Sequence, residues 1–210
     1  MMGLIRKYFN NARKPEGLLG KIMVCSMNRA HAEVSDWGMS HLKRISPADI
    51  AELGCGGGRN TVELLKRYPE AKVTALDHSE IAVRKTGRLN KEAISAGRCR
   101  VIQGDVSALP FETESFDLVT AFETVYFWQG LEESFREVFR VLRPGGLFLI
   151  VNETDGTDKK DEKWKNTIDG LEIYDRAQLI CALEKAGFNG ASADRDAMNH
   201  RLCVLAKKQG

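Results

Sequence analysis

The residues best suited to chemistry in this 210-residue chain are a run of glycines and two aspartates that follow it. Glu52–Asn60 contains four glycines, which allow a tight turn and let a ligand approach the backbone closely. Asp77 stands about 20 residues beyond the glycines, a spacing at which a carboxylate can accept hydrogen bonds from ribose hydroxyls. Asp105 follows the next predicted strand, where it could accept a hydrogen bond from an exocyclic amine such as that of adenine. Together these residues indicate a nucleoside-binding site.

Other interpretations fit parts of this spacing. A phosphate-binding P-loop needs a Gly-Lys-Ser/Thr sequence, which the glycine run lacks. A dinucleotide fingerprint would begin at Gly54 and Gly56, but its third glycine falls on Arg59, which disfavours NAD without excluding it. Structural roles also stay open: the loop as a bare turn, Asp77 as a charge at a helix N-terminus and Asp105 as an Asx turn. Each residue alone is ambiguous, whereas their shared position after successive strands favours a ligand site.

The elements that must position these residues alternate between strands and helices. Strands are predicted at Asp49–Leu53, Lys72–Leu76, Arg100–Gln103, Phe116–Phe122, Leu147–Val151, Gly190–Asp194 and Leu202–Ala206. Helices are predicted at Arg59–Tyr68, Ser79–Ala96 (with Ser79 as N-cap), Leu131–Leu142 and Asp175–Ala186, and the first 45 or so residues have helical periodicity. This alternation predicts βαβ units and a mostly parallel sheet, with ligands bound beyond the carboxyl ends of the strands.

Composition and charge narrow the class of protein. Hydrophobic residues make up 43% and charged residues 29%, which is typical of a globular protein. The 31 basic and 29 acidic residues nearly cancel, so we expect no binding to nucleic acid through phosphate contacts. No apolar run approaches the ~20 residues that span a bilayer, so no membrane insertion is expected. The five cysteines are scattered, which favours a reduced, cytoplasmic protein without a disulfide framework.

The segment from about Ala48 to Val151 resembles the class I S-adenosylmethionine-dependent methyltransferases, and in particular the small-molecule (type 11-like) group. The matching stretches are Glu52-Leu53-Gly54-Cys55-Gly56-Gly57-Gly58, Leu76-Asp77, Gly104-Asp105-Val106, Leu109-Pro110-Phe111, Phe116-Asp117-Leu118-Val119 and Arg140-Val141-Leu142-Arg143-Pro144-Gly145-Gly146. The resemblance implies a Rossmann-like, doubly wound α/β fold with seven strands and a C-terminal antiparallel hairpin. We expect an N-terminal helical cap over residues 1–45 and a methyltransferase domain over residues 46–210.

The resemblance also implies a cofactor, S-adenosyl-L-methionine, with S-adenosyl-L-homocysteine as the product. The implied cofactor contacts are Glu52 at the amino group, the loop Gly54, Cys55 and Gly56 at the methionine part, Asp77 at the ribose, His78, Asp105 and Val106 at the adenine, and the Phe122 carbonyl at the amino group. Within this set, Cys55 is expected to act as a small packing residue of the loop and not as a nucleophile.

The acceptor is expected to bind beside the segment that follows the fourth predicted strand. Tyr126 and Trp128 are predicted to wall the substrate pocket, while Phe127 stands where many relatives carry His. His31 and Glu123 are the candidate catalytic residues, and His41 is a further candidate base. No metal is expected, because only Glu123 and the distant Asp155 offer carboxylates here. The polar stretch 155–165 is either a lid over the substrate or a solvated surface loop.

These observations predict methyl transfer to a small-molecule acceptor by in-line displacement. Two alternatives remain: a protein that binds S-adenosylmethionine without catalysis, and an NAD-dependent oxidoreductase. A homodimer is a further expectation. The acceptor molecule and its reacting atom are left open by the sequence.

Overall fold

The computed structural model describes residues 17–210. Six side chains within the first helix lie outside this description: Leu18, Leu19, Lys21, Val24, Cys25 and Met27. The predicted helical cap is therefore described only from Gly17 onward. There the chain forms two helices, α1 (Gly17–Ala30) and α2 (Ala32–Met39), which meet at His31. No described helix is both long enough and apolar enough to cross a membrane.

Seven strands form one sheet in the order β3-β2-β1-β4-β5-β7-β6. They are β1 (Asp49–Leu53), β2 (Lys72–Asp77), β3 (Cys99–Gln103), β4 (Phe116–Phe122), β5 (Leu142–Asn152), β6 (Ser192–Asp196) and β7 (Arg201–Lys207). The first five run parallel, and β7 lies antiparallel between β5 and β6. The predicted fold class, a doubly wound sheet ending in an antiparallel hairpin, is confirmed.

The remaining helices cover the two faces of this sheet. They are α3 (Arg59–Arg67), α4 (Glu80–Leu89), α5 (Lys91–Ser95), α6 (Leu131–Val141), α7 (Asp161–Thr167) and α8 (Arg176–Lys185). Ser79 caps α4 as predicted, since its side chain accepts the Ala82 N–H. The prediction of one continuous helix to Ala96 is wrong. The helix breaks at Asn90, whose side-chain amide donates to the carbonyls of Thr86 and Gly58.

Strand β5 begins five residues before the predicted strand. Its first part includes Pro144 and two glycines, and its pairing with β4 shifts register between Phe116 and Leu118. Pro144 and Gly145, which predict the end of the preceding helix, therefore lie within an irregular first part of β5. The carboxyl end of β5 is unaffected and still lies beside that of β4.

Two apolar cores pack against the sheet, one on each face. On one face Phe135 of α6 and Leu179 of α8 pack against Phe148 of β5. On the other face α2 and α3 pack against β1, β4 and β5. Helix α2 lies directly on β5, since a Cβ at Gly38 would stand 2.3 Å from a methyl carbon of Val151. The N-terminal helices are thus seated on the core at the edge where the site lies.

Candidate functional site

A cavity of about 530 Å³ opens at the carboxyl ends of the first four strands. Gly54 after β1, Asp77 at the end of β2, Asp105 after β3 and Glu123 after β4 all line it. Asn28 of α1 lines the facing wall. Because parallel strands bring their carboxyl ends to one edge, residues far apart in sequence converge there. The volume lies within the range of small-molecule sites, about 300–1,000 Å³.

The glycine loop crosses the floor of this cavity in a left-handed conformation. Gly54, Gly56 and Gly58 have φ angles of +79°, +52° and +80°, which glycine adopts without steric cost. The N–H groups of Gly54 and Cys55 both donate to the Leu76 carbonyl, at 2.8 and 3.0 Å. These two donors are therefore used within the protein, and the loop's contribution to a ligand is close backbone approach.

The Asp77 carboxylate joins the loop to the end of β2. One oxygen accepts the Gly56 N–H at 2.8 Å, and the other accepts the Ser79 N–H at 2.8 Å. Asp77 is only 7% exposed, and burial raises its pKa. A carboxylate has about four lone-pair positions, so two remain for a ligand after these bonds. This fits a pair of vicinal ribose hydroxyls.

Glu52 lies behind the loop and is not among the described residues that line the cavity. It is 1% exposed, and its side chain accepts a hydrogen bond from the Thr61 hydroxyl. Burial raises the pKa of Glu52 to about 8. A cationic amino group bound nearby would favour the ionised form. The family resemblance implied Glu52 as a cofactor contact, but the sequence did not predict that burial would favour its protonated form.

The predicted adenine end has both a ligand-facing and a structural character. Asp105 lines the cavity, as do His78 and Val106. One Asp105 oxygen accepts the Ser107 N–H at 2.8 Å and the Ser107 hydroxyl at 2.7 Å. These bonds hold the pKa of Asp105 below its usual value. The Asx turn and the ligand contact are thus compatible, because the second oxygen remains.

The aromatic segment after β4 forms a 3-10 turn over Val125–Phe127, which decides which rings reach the cavity. Phe127 and Trp128 line it, whereas Tyr126 is not among the described lining residues. The Tyr126 hydroxyl instead accepts the Thr154 N–H at 3.3 Å. The structure therefore places Phe127, together with Trp128, on the cavity lining.

The two candidate catalytic residues lie together at the cavity wall with a third group. His31 Nε2 stands 3.7 Å from an oxygen of Glu153, which follows β5. Ligand-type atoms of His31, Glu123 and Glu153 all lie within 4.8 Å of one another. Burial lowers the pKa of His31 and raises that of Glu123. Glu153, which follows β5, joins the two candidates although the sequence pattern predicted no catalytic role for it.

His41 and His200 are held outside the cavity. His41 Nε2 lies 2.8 Å from an Asp194 oxygen, on the side of β6. His200 Nδ1 lies 3.6 Å from an oxygen of Asp155, a buried residue that pairs with Arg195. Neither His41 nor His200 is among the described residues lining the cavity. Of the histidine candidates for a base, the structure thus leaves His31 beside the site.

Polar side chains for which the sequence predicted no contact connect the N-terminal helices to the glycine loop. Asn28 donates to the Gly57 carbonyl at 3.0 Å, and Arg59 pairs with both Asp36 oxygens at 2.6 and 2.7 Å. Asn60 donates to the Ser35 hydroxyl at 3.2 Å. Such long-range polar contacts leave no periodic signal in a sequence.

Comparison with known proteins agrees with this geometry. Residues 51–150 match a protein family described as a methyltransferase domain. Over 173 residues, the chain is 31% identical to a sterol 24-C-methyltransferase of Gibberella zeae, covering 78% of this chain and 45% of that protein. The chain spans less than half the length of the curated relatives it matches.

Solved structures share the fold at low identity. A chain of the complex between the Haloferax volcanii Trm112 methyltransferase activator and a methyltransferase superposes with a TM-score of 0.79 at 17% identity, covering 89% of this chain and 94% of that one. A Haemonchus contortus phosphoethanolamine N-methyltransferase, solved with S-adenosylhomocysteine, gives 0.77 at 13% identity, covering 90% and 58%. At identities of 17% and 13%, these superpositions show a shared fold and nothing beyond it.

Proposed function

Since the chain belongs, through its residues 51–150, to the class I S-adenosylmethionine-dependent methyltransferases, we propose that it transfers a methyl group from S-adenosyl-L-methionine to a small-molecule acceptor. The observation that carries this proposal is the convergence of Asp77, Asp105 and the Gly54 loop on one cavity. A glycine turn and an acid about 20 residues beyond it suit the ribose end of an adenosyl compound, and the family resemblance implies an acid for the adenine amine.

The residues fit the cofactor in charge and shape. Asp77 keeps two lone pairs for the ribose hydroxyls, and the second oxygen of Asp105 is available to the adenine amine. Glu52, behind the loop, adds negative charge when a cation binds near it. Bound there, S-adenosyl-L-methionine supplies a sulfonium methyl group, which an acceptor atom displaces in line.

In this reaction the protein itself positions the acceptor beside the methyl group and excludes water from the site. Trp128 is held rigidly, because its ring stacks on Phe148 with centroids 6.2 Å apart and its Nε1 donates to the Thr124 hydroxyl at 3.2 Å. Phe127 adds an apolar surface beside it. Aromatic faces attract a sulfonium and exclude water, so an acceptor held against them meets the methyl group in a dry site.

The acceptor is proposed to be a small molecule with a large apolar part. The aromatic wall supports this, and so does the sequence likeness to a sterol methyltransferase. The methylated product shows which atom accepted the methyl group, so the assay must identify that product.

Calorimetric titration tests the cofactor. We expect S-adenosyl-L-methionine and S-adenosyl-L-homocysteine to bind with one site per chain, and NAD to show no saturable heat. Incubation with methyl-labelled cofactor and a panel of sterols, isoprenoids and quinone precursors, followed by mass spectrometry, then tests transfer. Saturable NAD binding without binding of S-adenosyl-L-methionine would refute the proposal, and binding of S-adenosyl-L-methionine without transfer to any compound of the panel would favour a non-catalytic binding protein.

A further inference from the structure

Three side chains at the acceptor end of the cavity have the types and spacing of metal ligands. His31 lies between α1 and α2, Glu123 follows β4 and Glu153 follows β5. Their ligand atoms all lie within 4.8 Å of one another, and His31 Nε2 is 3.7 Å from a Glu153 oxygen. Two carboxylates and an imidazole suit zinc or manganese better than magnesium or calcium, which prefer oxygen alone.

A second observation points independently to a cation. Glu123 is only 7% exposed, and its Oε1 atom is buried with no hydrogen-bond partner among the described residues. Buried carboxylate oxygens are nearly always hydrogen-bonded or bound to a metal, because an unpartnered one loses its hydration without compensation. Ligand atoms of Glu153 and His31 lie within 4.8 Å of an oxygen of the same carboxylate. A bound cation would satisfy all three.

We propose that His31, Glu123 and Glu153 bind one divalent transition-metal ion, Zn²⁺ or Mn²⁺, at the wall of the cavity. Ligand atoms lie about 2.0–2.2 Å from zinc, so two of them stand roughly 3.5 Å apart in a tetrahedral site. The present separations close to this value through side-chain rotation. The Glu153 side chain is 56% exposed and free to make most of that movement.

Three protein ligands leave a fourth position for water or a ligand. Because His31 and Glu123 both line the cavity, that position faces the acceptor. An acceptor hydroxyl or carboxylate oxygen bound to the ion would be fixed beside the methyl group. This role at the acceptor rests on the proposed methyl transfer, whereas the metal site itself does not.

The experiment measures the metal alone. Tag-free protein is stripped with chelator and titrated with Zn²⁺ by calorimetry and with Mn²⁺ by electron paramagnetic resonance, and Mg²⁺ serves as a competitor. We expect one ion per chain, little displacement by Mg²⁺, and at least about tenfold weaker binding in His31→Gln and Glu153→Gln, since even indirect partners of a metal ligand contribute that much. Both positions are at least partly exposed, so these variants are expected to fold.

His41→Gln is the matched control. His41 also stands beside a carboxylate, Asp194 at 2.8 Å, but outside the three-residue cluster. Unchanged metal binding in this variant supports the site. Absence of stoichiometric binding, or loss in His41→Gln with no loss in His31→Gln and Glu153→Gln, overturns it. Cofactor binding, measured in the same samples, separates failure of the metal site from failure of the proposed function.

Discussion

Replacing Asp77 by Asn tests how the ribose is held, and the structure sets the size of the effect. Each carboxylate oxygen of Asp77 now accepts one backbone N–H, from Gly56 and from Ser79. In Asp77→Asn one of these atoms becomes an NH₂ group, which faces an N–H whichever way the amide is turned. The remaining oxygen keeps one lone pair for the ligand. One ribose hydroxyl therefore loses its acceptor.

A hydrogen bond to a charged group is worth about 1.5–3 kcal/mol, so the affinity for S-adenosyl-L-homocysteine should fall about 10- to 150-fold. Titration calorimetry measures this directly. Asp77→Ala should bind at least as weakly, because it offers no acceptor at all. The Asn variant is the sharper test, since it keeps the volume of the side chain.

Asp117→Asn is the matched control for lost stability. Asp117 also accepts two backbone N–H groups, from Ala48 and Asp49 at 2.8 and 2.9 Å, but it stands at the amino end of the sheet. This variant should unfold more easily while its cofactor affinity stays the same. If a folded Asp77→Asn binds within twofold of the unchanged protein, the lone-pair argument is refuted.

Three further changes test neighbouring parts of the site. The free energy of unfolding should fall as the pH rises from about 4.5 to 8, because the buried Glu52 keeps a proton that the unfolded chain loses. Glu52→Gln should reduce this fall by up to about 1.4 kcal/mol per pH unit. Urea unfolding at pH 6 and 9 measures the difference. Gly54→Ala should weaken cofactor binding and lower the melting temperature, because its Cβ would lie 2.2 Å from the Thr124 hydroxyl oxygen and the φ of +79° disfavours alanine. Asn28→Ala removes the hydrogen bond to the Gly57 carbonyl, so hydrogen exchange of the loop amides should speed up. The lost bond should lower the free energy of unfolding by about 1 kcal/mol, and the melting temperature therefore by only a few degrees.

The cofactor half of the site could be predicted because one local rule determines it. In a parallel sheet every strand ends at the same edge, so the residue after each strand is a candidate by position alone. The bounds of β1 and β4 agree with the prediction to the residue. Asp77 and Asp105 then converge without any knowledge of packing.

The acceptor half depends on contacts that no period encodes. The 3-10 turn after β4 leaves the adjacent residues Phe127 and Trp128 both lining the cavity, which strict strand alternation would not give. His31 and Glu153 come together only because α2 packs on β5, a contact made through Gly38. The break at Asn90 has the same origin, a side chain bonding to a distant carbonyl. The cofactor half could therefore be predicted from the sequence, whereas the acceptor half depends on long-range packing and could not.

The two ends of the sheet use similar polar residues for opposite purposes. At the amino end Arg143 pairs with Asp117 and Asp49, at 2.9 and 2.8 Å, so the acids of that cluster are compensated within the protein. At the carboxyl end Glu123 Oε1 and both side-chain polar atoms of Asn152 are buried without partners among the described residues. A buried polar atom left unpaired costs about 1–3 kcal/mol, which a fold selected for stability alone would avoid. Three of the five buried side-chain atoms without partners among the described residues therefore lie at the carboxyl ends of β4 and β5, and a ligand bound there would recover the stability that those three cost.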